Sequence, residues 1–299
     1  VKITVLGAPS SAGAYCVGVE RAPAALRDAG LVEQLAATGA EVVDVGDLTT
    51  RLWFPDRQSP FAQNLGGETD ALEELSAAAA GLLAAGQRLL VLGGSCTAAV
   101  GMCAAMALGG ERPRIVYVDR HLDLNTPRST AEGSLSWMGM AHALAVEGAA
   151  PELVGLIDRT PMLHPSDLVY LGVDVTRETT RWERDQVAEL GLAIVDQRTL
   201  CDDPGDAART ARSTLAPGPF VVHLDVDVLD FLDAPIAENV NGRNSGPTIA
   251  ILEQALVTLL HDPDCRGMSI GQLDPARAAA DRTAIPRLVS ALVSALTFT

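Results

Sequence analysis

Arg114-Ile-Val-Tyr-Val-Asp119-Arg-His121-Leu-Asp123-Leu-Asn125-Thr-Pro127 runs from an apolar, β-branched segment straight into a cluster of ionisable side chains. The apolar run reads as a strand buried on both faces. Asp119, His121 and Asp123 alternate, so an extended backbone would turn all three to one side. Phe220-Val-Val-His-Leu-Asp225-Val-Asp227 repeats the arrangement further on. Four aspartates brought together without cations would repel one another, and their pKa values would rise. Divalent cations remove that conflict. Carboxylates with a single imidazole suit Mn²⁺ or Mg²⁺ better than a structural zinc site. Four carboxylates can also bridge two ions, roughly 3.5–4 Å apart in such sites. Either cluster alone reads equally well as turn-forming or helix-capping aspartates after a buried strand. Together, and with the imidazole, they point to metal-assisted chemistry.

Outward from these runs the chain keeps one rhythm of short apolar strand, loop and amphipathic helix. Strands are expected at 3–6, 42–45, 89–92, 115–118, 168–173, 193–195, 221–225 and 267–273. Helices are expected at 69–87, 97–108, 179–190, 247–260 and 282–296. Strand alternating with helix implies a parallel sheet wrapped by helices. About eight strands could also close into a barrel, and periodicity does not separate the two. No linker-like stretch divides the chain, so one domain over residues 1–299 is expected. Three loops, 7–22, 124–138 and 231–246, are long and follow strands. In α/β sheets and barrels alike, ligands bind at the carboxyl ends of strands, where such loops lie.

The formal net charge of −16 argues against nucleic acid or an anionic membrane as partner. No apolar run is long enough to span a bilayer. Five cysteines without a secretory look fit a reducing, cytoplasmic setting and free thiols. One of them, Cys96, closes Leu89-Leu-Val-Leu-Gly-Gly-Ser-Cys96, a third strand end and a candidate ligand. The plainer reading of Cys96 is a small buried hydrophobe.

These motifs resemble the arginase/agmatinase family of ureohydrolases along nearly the whole chain. Gly7-Ala-Pro-Ser with Gly18-Val-Glu-Arg-Ala-Pro-Ala-Ala-Leu-Arg27 resembles the family's N-terminal loop and first helix, and Gly93-Gly-Ser-Cys96 stands where the family has Gly-Gly-Asp-His. Asp119-Arg-His-Leu-Asp-Leu-Asn-Thr-Pro127 resembles Asp-Ala-His-x-Asp-x-Asn-Thr-Pro. His223-Leu-Asp-Val-Asp-Val-Leu-Asp230 resembles Ser-x-Asp-x-Asp-x-Leu-Asp. The resemblance implies a three-layer α/β/α fold with a parallel sheet of about eight strands. It also implies a binuclear Mn²⁺ centre, hydrolysis of a guanidino or related C–N bond in a small molecule, and a homotrimer or homohexamer. By position, Asp119 and Asp225 would bridge the ions, His121 and Asp227 would complete one, and Asp123 with Cys96 the other. A single Zn²⁺ on an Asp/His/Asp set is the alternative.

The same resemblance locates four departures. Cys96 replaces a histidine ligand, and its thiol must lose a proton to bind. Gln272, in Gly271-Gln-Leu-Asp-Pro275, stands where the family has a glutamate that pairs with the cationic guanidinium. A neutral amide there forfeits roughly 1.5–3 kcal/mol of charge-assisted bonding. Ser136 stands where arginases proper have a proton-shuttling histidine, a task a hydroxyl cannot perform near neutral pH. Glu132 stands where arginases have a serine that holds an α-carboxylate, which a glutamate would repel; Asn125 of that loop is retained. Asp123, Gln272 and Ser136 are thus the candidate catalytic positions, and Asn125, Glu132, Gln272 and Arg243 the candidate substrate contacts. The expectation is a hydrolase of a guanidino, modified guanidino, amidino or ureido compound other than plain arginine. A catalytically impaired homologue serving as a binding or partner subunit is the alternative.

Overall fold

All eight apolar runs become strands in the computed structural model, which describes residues 2–239 and 244–297. They are β1 (Lys2–Ala8), β2 (Glu41–Asp47), β3 (Arg88–Gly93), β4 (Ile115–Val118), β5 (Leu168–Val173), β6 (Ala193–Asp196), β7 (Phe220–Asp225) and β8 (Cys265–Gly271). They form one sheet in the order β2-β1-β3-β8-β7-β4-β5-β6, and every pairing is parallel. The sheet is open, so the barrel is excluded.

Alternation along the inner strands divides the interior into two cores, one on each face. Leu90, Leu92, Val116, Val118, Val222 and Leu224 face helices α1 (Ala22–Asp28), α2 (Leu31–Ala37), α8 (Gln197–Asp202), α9 (Pro204–Thr214), α10 (Ile249–Leu260) and α11 (Ala284–Thr297). Leu89, Val91, Ile115, Tyr117 and Val221 face α3 (Leu65–Ala84), α4 (Ala98–Leu108), α5 (Gly139–Ala143), α6 (Pro151–Val154) and α7 (Arg181–Leu190). The result is the expected three-layer α/β/α arrangement.

The helix α9, absent from the sequence expectation, buries no large apolar side chain. On α9 the buried residues are only Ala207, Ala208 and Ala211. Its start is marked instead by Asp203, whose carboxylate accepts from the Asp206 amide at 2.9 Å. At the other extreme the edge strand β2 is largely exposed. It carries Asp44 and Asp47, both bound by Arg27 at 2.6–2.9 Å, and such charges discourage pairing with a further strand. Among the described residues no helix is long and apolar enough to cross a membrane, and all five cysteines are free.

Candidate metal centre

Because the strands are parallel, all their carboxyl ends reach the same edge of the sheet. The four central neighbours, β3, β8, β7 and β4, deliver Cys96, Gln272, Asp225 and Asp119 there. Gly94 lets the first of these loops close. A Cβ on it would lie 2.0 Å from the Ser10 carbonyl oxygen, and its own carbonyl accepts from the Gln272 amide at 2.7 Å.

The convergence does not come from extended backbone, as alternation had suggested. β4 ends at Val118, and the chain folds over its own side chains. The Asp119 carboxylate accepts from the His121 amide at 2.6 Å, and Asp123 adopts a φ of 50°. Asp225 likewise caps a single 3₁₀ turn, Val226–Val228, accepting from the Asp227 amide at 2.8 Å. Both aspartate motifs therefore cap turns and present carboxylate oxygens inward at once.

Asp119, His121, Asp123, Asp225 and Asp227 are each at least 95 % buried as whole residues. His121 Nδ1 lies 3.3 Å from Asp119 Oδ1 and 3.1 Å from Asp227 Oδ2, and its Nε2 lies 3.6 Å from Glu178. Burial, then the Asp227 charge, pushes the Asp119 carboxyl up to about 6. Burial and Asp119 push Asp123 well above the usual carboxylate range, and burial and Asp227 do the same to Asp225. Asp227 alone moves down: burial opposes this, but the imidazole beside it wins. His121 correspondingly rises, since the surrounding carboxylates outweigh its desolvation. These directions are those of buried carboxylates crowding one another, a conflict that bound divalent cations would relieve.

The donor set fits divalent ions. Oxygen, nitrogen and sulfur atoms of Asp119, His121 and Asp227, and separately of Cys96, Asp119 and Asp123, lie within 4.8 Å of one another. Asp119 Oδ2 and Asp227 Oδ1 are buried without a hydrogen-bond partner. Buried carboxylate oxygens left unpaired are costly unless something binds them. The second set is compromised by its thiol. Cys96 Sγ donates to Asp225 Oδ2 at 2.6 Å, and burial followed by Asp225 holds the thiol proton on tightly. In this arrangement Asp225 belongs to neither set.

Beneath the carboxylates lies a polar row. Tyr170, Tyr117, His223 and Ser269 stand side by side on β5, β4, β7 and β8. The Tyr117 hydroxyl donates to Asp123 Oδ2, and its ring stacks on His223 at 5.0 Å. Outer partners of this kind fix ligand orientation. Tyr117→Phe is expected to weaken metal binding about 10- to 100-fold while preserving the fold, as read by metal titration with a parallel melting curve.

A cavity of about 510 Å³ opens over the cluster. Cys96, His121, Asp123, Asp225, Asp227, Glu132, Ser136 and Gln272 all line it. Trp137 joins them, its ring 5.3 Å from His121. Ser136 shares a 2.7 Å hydrogen bond with Ser134. Glu132 Oε1 and Gln272 Oε1 are buried and unpartnered. Asn125 does not line the cavity; its side-chain oxygen accepts from Ser129 at 3.2 Å. Arg243 lies outside the described residues. Sequence reasoning missed Tyr15, Cys16, Glu238, Asn239 and Arg277 on the cavity wall, because loop residues without a motif carry no periodic signal. A larger cavity of about 590 Å³ sits at the amino ends of the strands, lined by Lys2, Arg88 and Arg266 among others, away from both ligand sets.

His142 is a packing residue on α5, with Nδ1 2.6 Å from the Met138 carbonyl. Burial lowers its pKa from 6.5 to about 4, the carbonyl opposing. The unfolded chain therefore takes up this proton first as pH falls. The contribution to stability is complete above 6.5 and is lost on the way down to about 4. By pH 5 the loss is about 2 kcal/mol. Urea melts at pH 7 and pH 5 should show a steeper fall for the native chain than for His142→Gln.

Residues 1–297 match the arginase family. The chain is 32% identical to Arginase-1 of Rattus norvegicus over 290 residues, 91% of this chain and 84% of that protein. The crystal structure of arginase from Bacillus caldovelox superposes with a TM-score of 0.85 at 24% identity, covering 100% of this chain and 98% of the other. Formimidoylglutamase from Bacillus subtilis shares the fold at a TM-score of 0.71 and 15% identity, covering 99% and 85%. With the ligand motifs, the sheet order and the whole-length match in agreement, this chain belongs to the arginase family.

Proposed function

We propose that the chain is a metal-dependent hydrolase, of Mn²⁺ type, acting on a C–N bond in a guanidino, modified guanidino, amidino or ureido compound, and that plain arginine is a poor substrate. The observation that carries this reading is the cluster of five retained ligand residues, four of which line one cavity while Asp119 joins both ligand sets beneath it, with two buried carboxylate oxygens left unpaired. Asp119, His121 and Asp227 would hold one ion, and Cys96, Asp119 and Asp123 a second, with Asp225 free to join once the thiol proton leaves. When bound, the metal supplies a Lewis acid that acidifies water and neutralises the crowded carboxylates. Tyr117 holds Asp123 in position, and Trp137 covers His121.

Two residues, Glu132 and Ser136, argue against arginine in particular, and Gln272 offers no charge of its own to a guanidinium. Glu132 places a carboxylate, pushed up by burial, where an α-carboxylate would need a partner. Ser136 carries no group that titrates near neutral pH. A panel containing arginine, an N-hydroxyguanidine, an amidine and a ureido compound tests this. Urea release from arginine should be at least ten times slower than turnover of the preferred member. Gln272→Glu should raise kcat/KM for arginine about tenfold or more, the worth of one charge-assisted bond. Robust urea release from the unmodified chain would sink the reading.

One observation favours a second reading. The Cys96–Asp225 hydrogen bond ties up two ligands of the second set, as in a catalytically impaired homologue that serves as a binding or partner subunit. Absence of bound transition metal together with tight association to an active relative would support it. For assembly we infer a homotrimer or homohexamer in the cytoplasm, checked by light scattering and fractionation.

A further inference from the structure

We propose that Glu238 supplies the carboxylate that pairs with the positive charge of the substrate's reacting end, in place of the neutral Gln272. This rests on the hydrolase reading above and narrows its substrate class to cations, excluding ureido compounds. Ala237 and Leu273 form an antiparallel bridge. Around it the Glu238 amide donates to the Gln272 carbonyl at 2.8 Å, and the Asp274 amide donates to Ile236 at 2.9 Å. The bridge fixes Glu238 and Gln272 side by side, and both side chains line the cavity over the metal ligands.

Glu238 is only 8 % exposed, an unusual place for a carboxylate without a cationic partner. Its Oε1 accepts from the Cys16 amide at 3.2 Å and the Cys16 thiol at 3.5 Å. Among the described residues no lysine, arginine or histidine forms an ion pair with it. Arg277, the arginine on the cavity wall, lies 3.7 Å from Asp274 instead. Burial accordingly pushes the Glu238 carboxyl up to about 7. A buried acid poised between its two forms, on the wall of a substrate-sized cavity, is stabilised as the anion when a cation docks against it. Gln272 beside it has a buried amide oxygen with no partner, which can accept one N–H or O–H of the same group.

The test is calorimetric binding of agmatine and of N-carbamoylputrescine to the Mn²⁺-loaded full chain. The two differ only in a guanidinium against a ureido end, and neither has an α-carboxylate for Glu132 to repel. The native chain should prefer agmatine by about tenfold or more, the worth of a charge-assisted pair. Glu238→Gln should bring the two affinities within about threefold. Adding Gln272→Glu to that variant should restore the preference, a rescue that a merely structural role would not give. Glu238→Ala carries the test if the glutamine variant does not melt cooperatively. No preference in the native chain, or a preference that survives loss of Glu238, overturns the proposal. Hydrolysis is measured in parallel. A Glu238-dependent preference without turnover of any cationic substrate refutes the hydrolase reading and leaves this assignment standing. Turnover with a preference indifferent to position 238 does the reverse.

Discussion

Asp119→Asn is expected to abolish metal binding while leaving the metal-free protein as stable as before, or more so. Asp119 belongs to both potential ligand sets, so one substitution disables both. Loss of an outer-sphere partner already costs about 10- to 100-fold in metal affinity, so loss of a shared ligand must exceed that. In the metal-free state the carboxylate is a burden, buried beside Asp227 and pushed up to about 6. Removing its charge relieves that repulsion. Native protein in Mn²⁺ at 100 times the dissociation constant should gain about 2.7 kcal/mol of stability. The variant should gain none. Elemental analysis after dialysis and melting curves with and without metal decide it. Unchanged metal content in Asp119→Asn would mean that the ligands have been misassigned.

Cys96→His should have the second large effect, in the opposite direction. A thiol of ordinary acidity costs about 2 kcal/mol to ionise at pH 7, and burial beside Asp225 makes Cys96 costlier. A neutral imidazole has no such cost and suits Mn²⁺ better than sulfur does. The substitution also frees Asp225 Oδ2 from its hydrogen bond. The second ion should therefore bind at least about 30-fold more tightly, and the Mn²⁺ content after dialysis should rise from near one per chain toward two. Zn²⁺, more thiophilic, should lose its advantage in competition. Equal stoichiometry and affinity in the two proteins would show that the thiol is no obstacle.

The sheet was legible because each buried strand is written as a continuous apolar run, and the large, repeated gaps between the runs left room for helices. Alternation of Asp119, His121 and Asp123 pointed to the right residues through the wrong geometry. The backbone leaves the strand at Val118, and side-chain-to-amide bonds within each cluster draw the ligands together. The turn-capping and metal-binding readings of these aspartates are thus compatible. Tyr117 could have been found, since it lies on β4 two residues before Asp119. Glu238 could not: it comes from a loop, and only the bridge between Ala237 and Leu273 brings it to Gln272. Asn125, prominent in its motif, spends its side chain on Ser129.

Asp119, Asp225 and Gln272 stand on the ends of paired central strands, whereas Tyr15, Cys16, Glu132 and Glu238 reach the cavity from loops. The two groups can therefore be varied separately. A saturation library confined to positions 15, 16, 132 and 238 should retain native metal loading in most folded clones while scattering widely in which small molecules they bind, giving a scaffold on which new amidine-cleaving activities can be selected.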